Sequence, residues 1–419
     1  MQITVLAAGS RGDVQPLLAL SKGLQHTGMR VRLAAPQDFS AFVRQHEIDF
    51  YPLRGSVQQI MASATGQNFM ETGGANPIKA LRAFRKMGAP VVLQMAQDAL
   101  EACRGSQALV CLAVIAPFGR SIAEALRIPL INAEPTPLLP TRAFPAAGWP
   151  IQRNLGGLHN RLSGVIMLRM IGQWFLPYLN SFRQGLGMPA FRAADFQRVL
   201  ASTPLLGAYS PEIIPSPADW PGQAHVSGYW FLDEQENWQP PPGLEAFLSA
   251  SDPPVYIGFG SMGGRDPEGT AALAFEALTK SRQRAVLLTG WGGLRSMSPP
   301  EGVYMLESAP HRWLFRRVAA VVHHGGAGTT AEGLRAGVPA VIVPFIVDQP
   351  FWGARIAALG VGPPPIPRQK LTADRLAHAM RAAATDPQMK RRAEKLGAAI
   401  RQEDGVGNAV RIIRQYLGE

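Results

Sequence analysis

The chain is 419 residues long and has little cysteine, little charge and no long apolar run. Its two cysteines, Cys103 and Cys111, are too few for a disulfide framework or a four-cysteine zinc site. Charged residues make up 17% of the chain against 47% hydrophobic, which excludes a disordered polyelectrolyte and allows large buried cores. The most apolar stretch, residues 165–179, is interrupted by Arg169, Gln173 and Pro177, short of the ~18 apolar residues that argue for a membrane span. No basic segment precedes the apolar start at Met1–Leu6, so no secretory signal is read there. The motifs HExxH and GxSxG are absent, which sets aside zinc-protease and nucleophile-elbow hydrolase readings. A soluble, reduced, cytoplasmic protein is the expectation.

What the chain does have is turn residues, 43 Gly and 36 Pro, and a formal charge of +11. Residues 1–215 hold 20 basic against 11 acidic residues, so most of the excess lies in the first half. Short buried-type runs such as Ile3–Ala8, Val31–Ala35 and Asp49–Leu53 alternate with helical patterns, one of them opened by Pro16. After a Pro- and Trp-rich stretch the alternation restarts at Val255–Phe259. This order predicts an α/β protein with two Rossmann-like, doubly wound domains. The boundaries read are 1–215, a linker at 216–240, a second domain at 241–400, and a final helical segment at 401–419. Residues 55–100 and 135–200 read as apolar, helix-prone insertions on the first domain.

Open parallel sheets bind ligands beyond the carboxyl ends of their strands. Three Gly-rich junctions fall at such ends: Gly9-Ser10-Arg11-Gly12-Asp13, Gly258–Gly264, and His323-His324-Gly325-Gly326-Ala327-Gly328-Thr329-Thr330. The second contains GxGxxG at Gly258, Gly260 and Gly263. However, the next strand ends Leu288-Thr289-Gly290-Trp291, without the acid a nicotinamide site wants. The third carries more. Free N–H groups at a helix start attract an anion, glycines such as Gly326 and Gly328 let a phosphate come close, and His324, Thr329 and Thr330 add donors. Glu332, eight residues past His324, can accept from ribose hydroxyls; Asp348 and Gln349 offer a pair suited to sugar hydroxyls. Together these residues describe a nucleotide-sugar site.

The block Pro310–Pro350 resembles the donor-binding signature of family 1 glycosyltransferases, enzymes of GT-B fold. Pro310–Phe315, His323–Thr330 and Gly9–Pro16 look closer to sterol glucosyltransferases and bacterial antibiotic glycosyltransferases than to the plant secondary-product enzymes. The resemblance covers both halves and fades in residues 55–100 and 135–200. It implies two domains facing across a cleft, with the last helix packed back on the first. It also implies a donor site in the second domain and Asp13 as the general base where plant relatives use a histidine. The plant pattern has a Trp and an Asn where this chain has Ala327 and Gly328, so backbone N–H groups and Thr329 must take over their contacts.

The expected reaction is an inverting transfer of a hexose, glucose first, from a UDP-sugar to a hydroxyl. No Asp-x-Asp occurs, so no metal or other cofactor is expected and the helix start would stabilise the leaving diphosphate. Trp291 and Trp313 are candidates to stack on the base, and Ser261 to reach a phosphate. Trp149, Trp174 and Phe175 are candidates to line an acceptor pocket. Its apolar character suits a sterol, terpenoid or polyketide rather than a nucleic acid. Lys79, Arg82, Arg85 and Lys86 sit at near-helical spacing, and Arg153, Arg161 and Arg169 flank the apolar insertion; both suggest a peripheral membrane contact. The alternatives are an NAD(P)-dependent oxidoreductase using Gly258–Gly263 and a nucleotide-sugar epimerase of GT-B fold.

Overall fold

The computed structural model describes residues 1–56, 91–232, 238–259, 267–289 and 299–419. Ser261 and Trp291, the glycines Gly260 and Gly263, and Lys79, Arg82, Arg85 and Lys86 lie outside the described residues. The chain divides into two compact units, Met1–Asp233 with Glu403–Glu419, and Glu234–Gln402.

The first unit runs β1 (Gln2–Leu6), α1 (Arg11–His26), β2 (Arg30–Pro36), α2 (Ser40–Arg44), β3 (Asp49–Leu53), α3 (described over 91–103) and β4 (Ala108–Leu112). It continues with α4 (Ala116–Leu126), β5 (Leu130–Glu134), α5 (Gly157–Gly185), α6 (Ala193–Ser202), β6 (Leu205–Gly207) and β7 (Ala224–Val226). Its seven parallel strands are ordered β3-β2-β1-β4-β5-β6-β7. All five residues of β4 are buried because the sheet is covered on both faces. Val110 and Leu112 enter one core with Leu17 and Leu20 of α1, while Leu109 and Cys111 enter another with Ile122, Tyr178 and Phe182.

The second unit runs α7 (Leu244–Ser249), β8 (Val255–Gly258), α8 (Pro267–Ser281), β9 (Ala285–Leu288), β10 (Val303–Leu306), α9 (His311–Leu314) and β11 (Ala320–His323). Then come α10 (Ala327–Ala336), β12 (Ala340–Ile342), α11 (Gln349–Ala358), α12 (Ala373–Thr385) and α13 (Pro387–Arg401). Its five parallel strands are ordered β10-β9-β8-β11-β12. The closing helix α14 (Gly405–Leu417) belongs to the first unit, where Ala409, Val410 and Ile413 join the core beside α1.

Two readings change. The linker at 216–240 contains β7, and β6 precedes it; three-residue strands carry no periodic signal, and β6 forms by pairing onto β5 and β7 by pairing onto β6. Pro16 does not open α1. That helix starts at Arg11, where Ser10 and Asp13 form a capping box, and Pro16 sits inside it, donating no hydrogen bond to the Gly12 carbonyl. The interrupted apolar stretch belongs to the 29-residue α5, a third buried, which is long and apolar enough by length and composition to cross a membrane.

Candidate functional site

Reversal of strand order marks where an open sheet binds ligands. In the first sheet it falls between β1 and β4, and in the second between β8 and β11. The loop after β1 carries Asp13. The loop after β11 carries His324 and the glycine run.

Asp13 is half-buried in the first turn of α1. Its Oδ2 accepts from the Ser10 N–H (2.7 Å) and from the Ser10 hydroxyl (3.0 Å). Gly9 (φ +135°) makes this fold-back feasible, since a Cβ there would lie 2.3 Å from Asp13 Oδ2. The carboxylate is thus held at the helix start by the two Ser10 donors.

In the second unit, His323 closes β11 fully buried. Its Nδ1 accepts from the Gly325 N–H (3.1 Å), which makes Nε2 the protonated nitrogen and leaves it buried without a partner among the described residues. His324 stands perpendicular to it, with ring centroids 6.2 Å apart. Its Nδ1 is also buried without a partner, as is the hydroxyl of Thr330, which is 1% exposed. Gly326 is the N-cap of α10 and no side chain caps that helix. A Cβ at Gly326 would lie 2.5 Å from His324 Nε2, so the imidazole itself requires glycine there. A Cβ at Gly328 would meet nothing within 4 Å. The protein's own packing therefore does not explain that glycine.

This asymmetry makes a prediction of opposite signs. Gly328→Ala should raise the stability of the ligand-free protein by about 0.5 kcal/mol. It should also raise the KM for the nucleotide ligand about tenfold, the added methyl occupying space a phosphate needs. A higher melting temperature with an unchanged KM would mean the glycine has no ligand role.

Burial pushes His324 down to about 4; burial, with His324 and His311 nearby, pushes His323 well below the ordinary imidazole range. Both are neutral at pH 7, so each offers one N–H donor. The unfolded chain takes up protons near pH 6.5, so stability is full above that value and is lost as pH falls from it toward the folded values. His324 alone should lower stability by about 2 kcal/mol between pH 7.5 and 5. Denaturant titrations of wild type and His324→Gln at both pH values check this; the variant should lose less by that amount.

Glu332, in the second turn of α10, lies 4.0 Å from Arg335. Asp348 precedes α11 and its Oδ2 accepts from the Trp352 indole N–H (2.9 Å). Gln349 is buried, and its Oε1 accepts the N–H groups of Phe345 (2.7 Å) and Ile346 (3.1 Å). That oxygen shapes the loop rather than waiting for a ligand, a commitment no sequence pattern reveals. Between these two residues and the strand, Val347 adopts φ +56° and is 62% exposed, a strained geometry for a β-branched residue of the kind found beside binding sites. Trp313 carries the Arg317 guanidinium over its ring (4.1 Å), with Trp238 4.9 Å away.

The three acceptor candidates are not one cluster. Trp149 packs edge-on to His159 near the start of α5, whereas Phe175 packs edge-on to Phe118 in the core. His159 and Phe175 are roughly 24 Å apart along the helix at its usual rise. Trp174 is half-buried. The residue the sequence reading missed is Glu134, 1% exposed at the carboxyl end of β5. It accepts from the Tyr209 hydroxyl (2.7 Å) and the Leu138 N–H (3.1 Å), and burial pushes its carboxyl up to about 8. An acid ending an apolar strand just before Pro135 was the available signal.

Among the described residues no group of three or more His, Cys, Asp or Glu side chains could hold a metal.

Residues 3–145 match the Glycosyltransferase family 28 N-terminal domain, and residues 293–404 the C-terminal domain of erythromycin biosynthesis protein CIII-like proteins. Two sterol 3-beta-glucosyltransferases of Arabidopsis thaliana are 38% and 36% identical across the whole chain, which spans 66% and 68% of their lengths. It spans 30% of a sterol 3-beta-glucosyltransferase of Aspergillus fumigatus at 37% identity. Among solved structures, the glycotransferase of kitacinnamycin superposes with a TM-score of 0.74 over 99% of both chains at 19% identity. The glycosyltransferase VinC, in complex with DTDP, gives 0.68 over the full length of both at 18%. These likenesses give the two parallel-sheet units the GT-B fold.

Proposed function

Because the chain belongs to the glycosyltransferase family of the sterol 3-beta-glucosyltransferases, we propose that it transfers a hexose, glucose first, from a UDP-sugar to a hydroxyl of a lipophilic acceptor. Sterols, terpenoids and polyketides fit that class. The observation that carries the reading is the β11–α10 junction. It has an uncapped helix start, a glycine with open space above it, and the neutral His324 and the Thr330 hydroxyl lacking protein partners among the described residues. Such a junction is matched to a diphosphate.

In the proposed step Asp13 takes the acceptor hydroxyl proton, and the oxygen attacks the anomeric carbon. The glycosyl–phosphate bond breaks on the opposite side, inverting the centre. The leaving diphosphate is stabilised by the α10 N–H groups and His324. Glu332 is assigned to the ribose and Asp348 with Gln349 to the sugar. Trp313 and Trp291 are assigned to the base, Ser261, Gly326, Gly328 and Thr329 to the phosphates, and Trp149 and Trp174 to the acceptor side, Phe175 being committed to the core against Phe118. The two buried free thiols suit a reducing cytoplasm.

Calorimetry tests the reading against a dinucleotide enzyme. UDP or TDP should bind, NAD should not, and transfer should survive EDTA. Binding of NAD with no response to either nucleoside diphosphate would overturn it, and activity lost to EDTA and restored by Mg²⁺ or Mn²⁺ would overturn the metal-free step.

A further inference from the structure

We propose that the outer face of α5 and the loop leading into it form a docking surface for an anionic lipid bilayer. Among the described residues of the first unit, five exposed large aliphatic side chains follow one another along it. Leu158 is 74% exposed, Leu155 53%, Ile151 50%, Leu162 49% and Ile166 41%. Leu158, Leu162 and Ile166 recur every four residues, so they form one stripe on the helix.

The exposure is built in. Gln152 Nε2 donates to the carbonyls of Ala146 (3.0 Å) and Trp149 (2.6 Å). Asn154 Oδ1 accepts from the Gly156 N–H and from Asn160 Nδ2, both at 2.9 Å. The loop is therefore pinned with Ile151 and Leu155 outward. The opposite face of α5 is committed to the protein. Leu168, Tyr178, Leu179 and Phe182 are buried, and Gly164 lies so close to Pro140 that a Cβ there would fall 2.7 Å from its Cα. A helix with one face in the protein and the other aliphatic lies along an interface rather than across it.

Charge selects the occupant. Residues 135–194 contain six arginines and no Asp or Glu. Arg153, Arg161 and Arg169 are exposed beside the stripe. Asp219, which accepts from the Thr141 hydroxyl (2.6 Å) and the Arg142 N–H (2.9 Å), offsets part of this charge and feels Arg161. A second copy seated symmetrically on this face would bring the arginines against themselves. An anionic headgroup layer meets them with opposite charge while the leucines enter the acyl boundary.

Docking gives the transferase reading a place of work, but it is measured without donor or acceptor, so each can fail alone. Sedimentation with phosphatidylcholine vesicles, with and without a quarter phosphatidylglycerol, is the test. The protein should bind the anionic vesicles and lose them as salt shortens the screening length to roughly 8 Å at physiological ionic strength. The triple change Arg153→Gln, Arg161→Gln, Arg169→Gln should lower partitioning about fivefold per arginine, about 100-fold in all. Leu158→Gln with Leu162→Gln should abolish it, with the melting temperature of both variants unchanged. Equal sedimentation with both vesicle types, wild-type binding by both variants, or a dimer that the leucine variant dissolves without any vesicle binding would overturn the proposal.

Discussion

Asp13→Asn should leave UDP binding as it is and lower transfer by about 10²–10⁴-fold, the usual contribution of a general base. The substitution separates chemistry from folding because Asp13 serves both. Its Oδ2 holds the Ser10 N–H and hydroxyl at the start of α1. The amide oxygen of asparagine can keep the first of those bonds, but it cannot take a proton from an acceptor hydroxyl. Asp13→Ala would remove base and cap together, adding about 1 kcal/mol of lost stability. The kinetic pattern expected of the Asn variant is a fall in kcat with the donor KM little changed. Turnover near wild type would make Asp13 a helix cap and nothing more.

His324→Ala should cost about 10²–10³-fold in kcat/KM for the donor, the scale on which a fixed donor to developing charge acts. The imidazole is desolvated to the point of neutrality near pH 7, and its Nδ1 lacks a partner among the described residues, so an N–H is available without the cost of breaking an existing bond. Because the diphosphate carries charge before and after bond cleavage, binding and turnover should weaken together. His323→Ala is a contrasting control. That side chain is fully buried and caps the Gly325 turn, so its loss should appear as reduced stability first. If the two variants behaved alike, the division between a ligand-facing and a structural histidine would fail.

Much of the fold was legible because its central strands are buried on both faces. Runs such as Val255–Ile257 and Ala320–Val322 are apolar and buried throughout, and turn residues bracket them. The two switch points were legible as glycine-rich junctions, since close ligand approach and tight strand–helix turns both demand glycine. Other features depended on partners distant in the chain. Leu205–Gly207 becomes a strand only beside β5, and Ala224–Val226 only beside β6. Gln349 reads as a sugar ligand in sequence; its carbonyl oxygen is taken by the Phe345 and Ile346 N–H groups, so only its amide N–H groups can serve a sugar. Pro16 reads as a helix start, yet the Ser10–Asp13 capping box starts the helix earlier, and a helix of 16 residues tolerates one missing hydrogen bond. Trp149 and Phe175 shared a hydrophobic insertion, and the long helix then carried them apart. Glu134 was passed over because a lone acid at a strand end carries no motif until Tyr209 is seen against it.

The most direct test of the central claim is a transfer assay with UDP-glucose and a panel of lipophilic alcohols in EDTA, read by mass spectrometry and by NMR of the new anomeric centre. The account predicts a glucoside of at least one sterol-like alcohol, with β configuration from the α-linked donor, and loss of product with Asp13→Asn. Retention of the α configuration, or no product from any alcohol while the Gly328→Ala variant binds UDP as tightly as wild type, would contradict it.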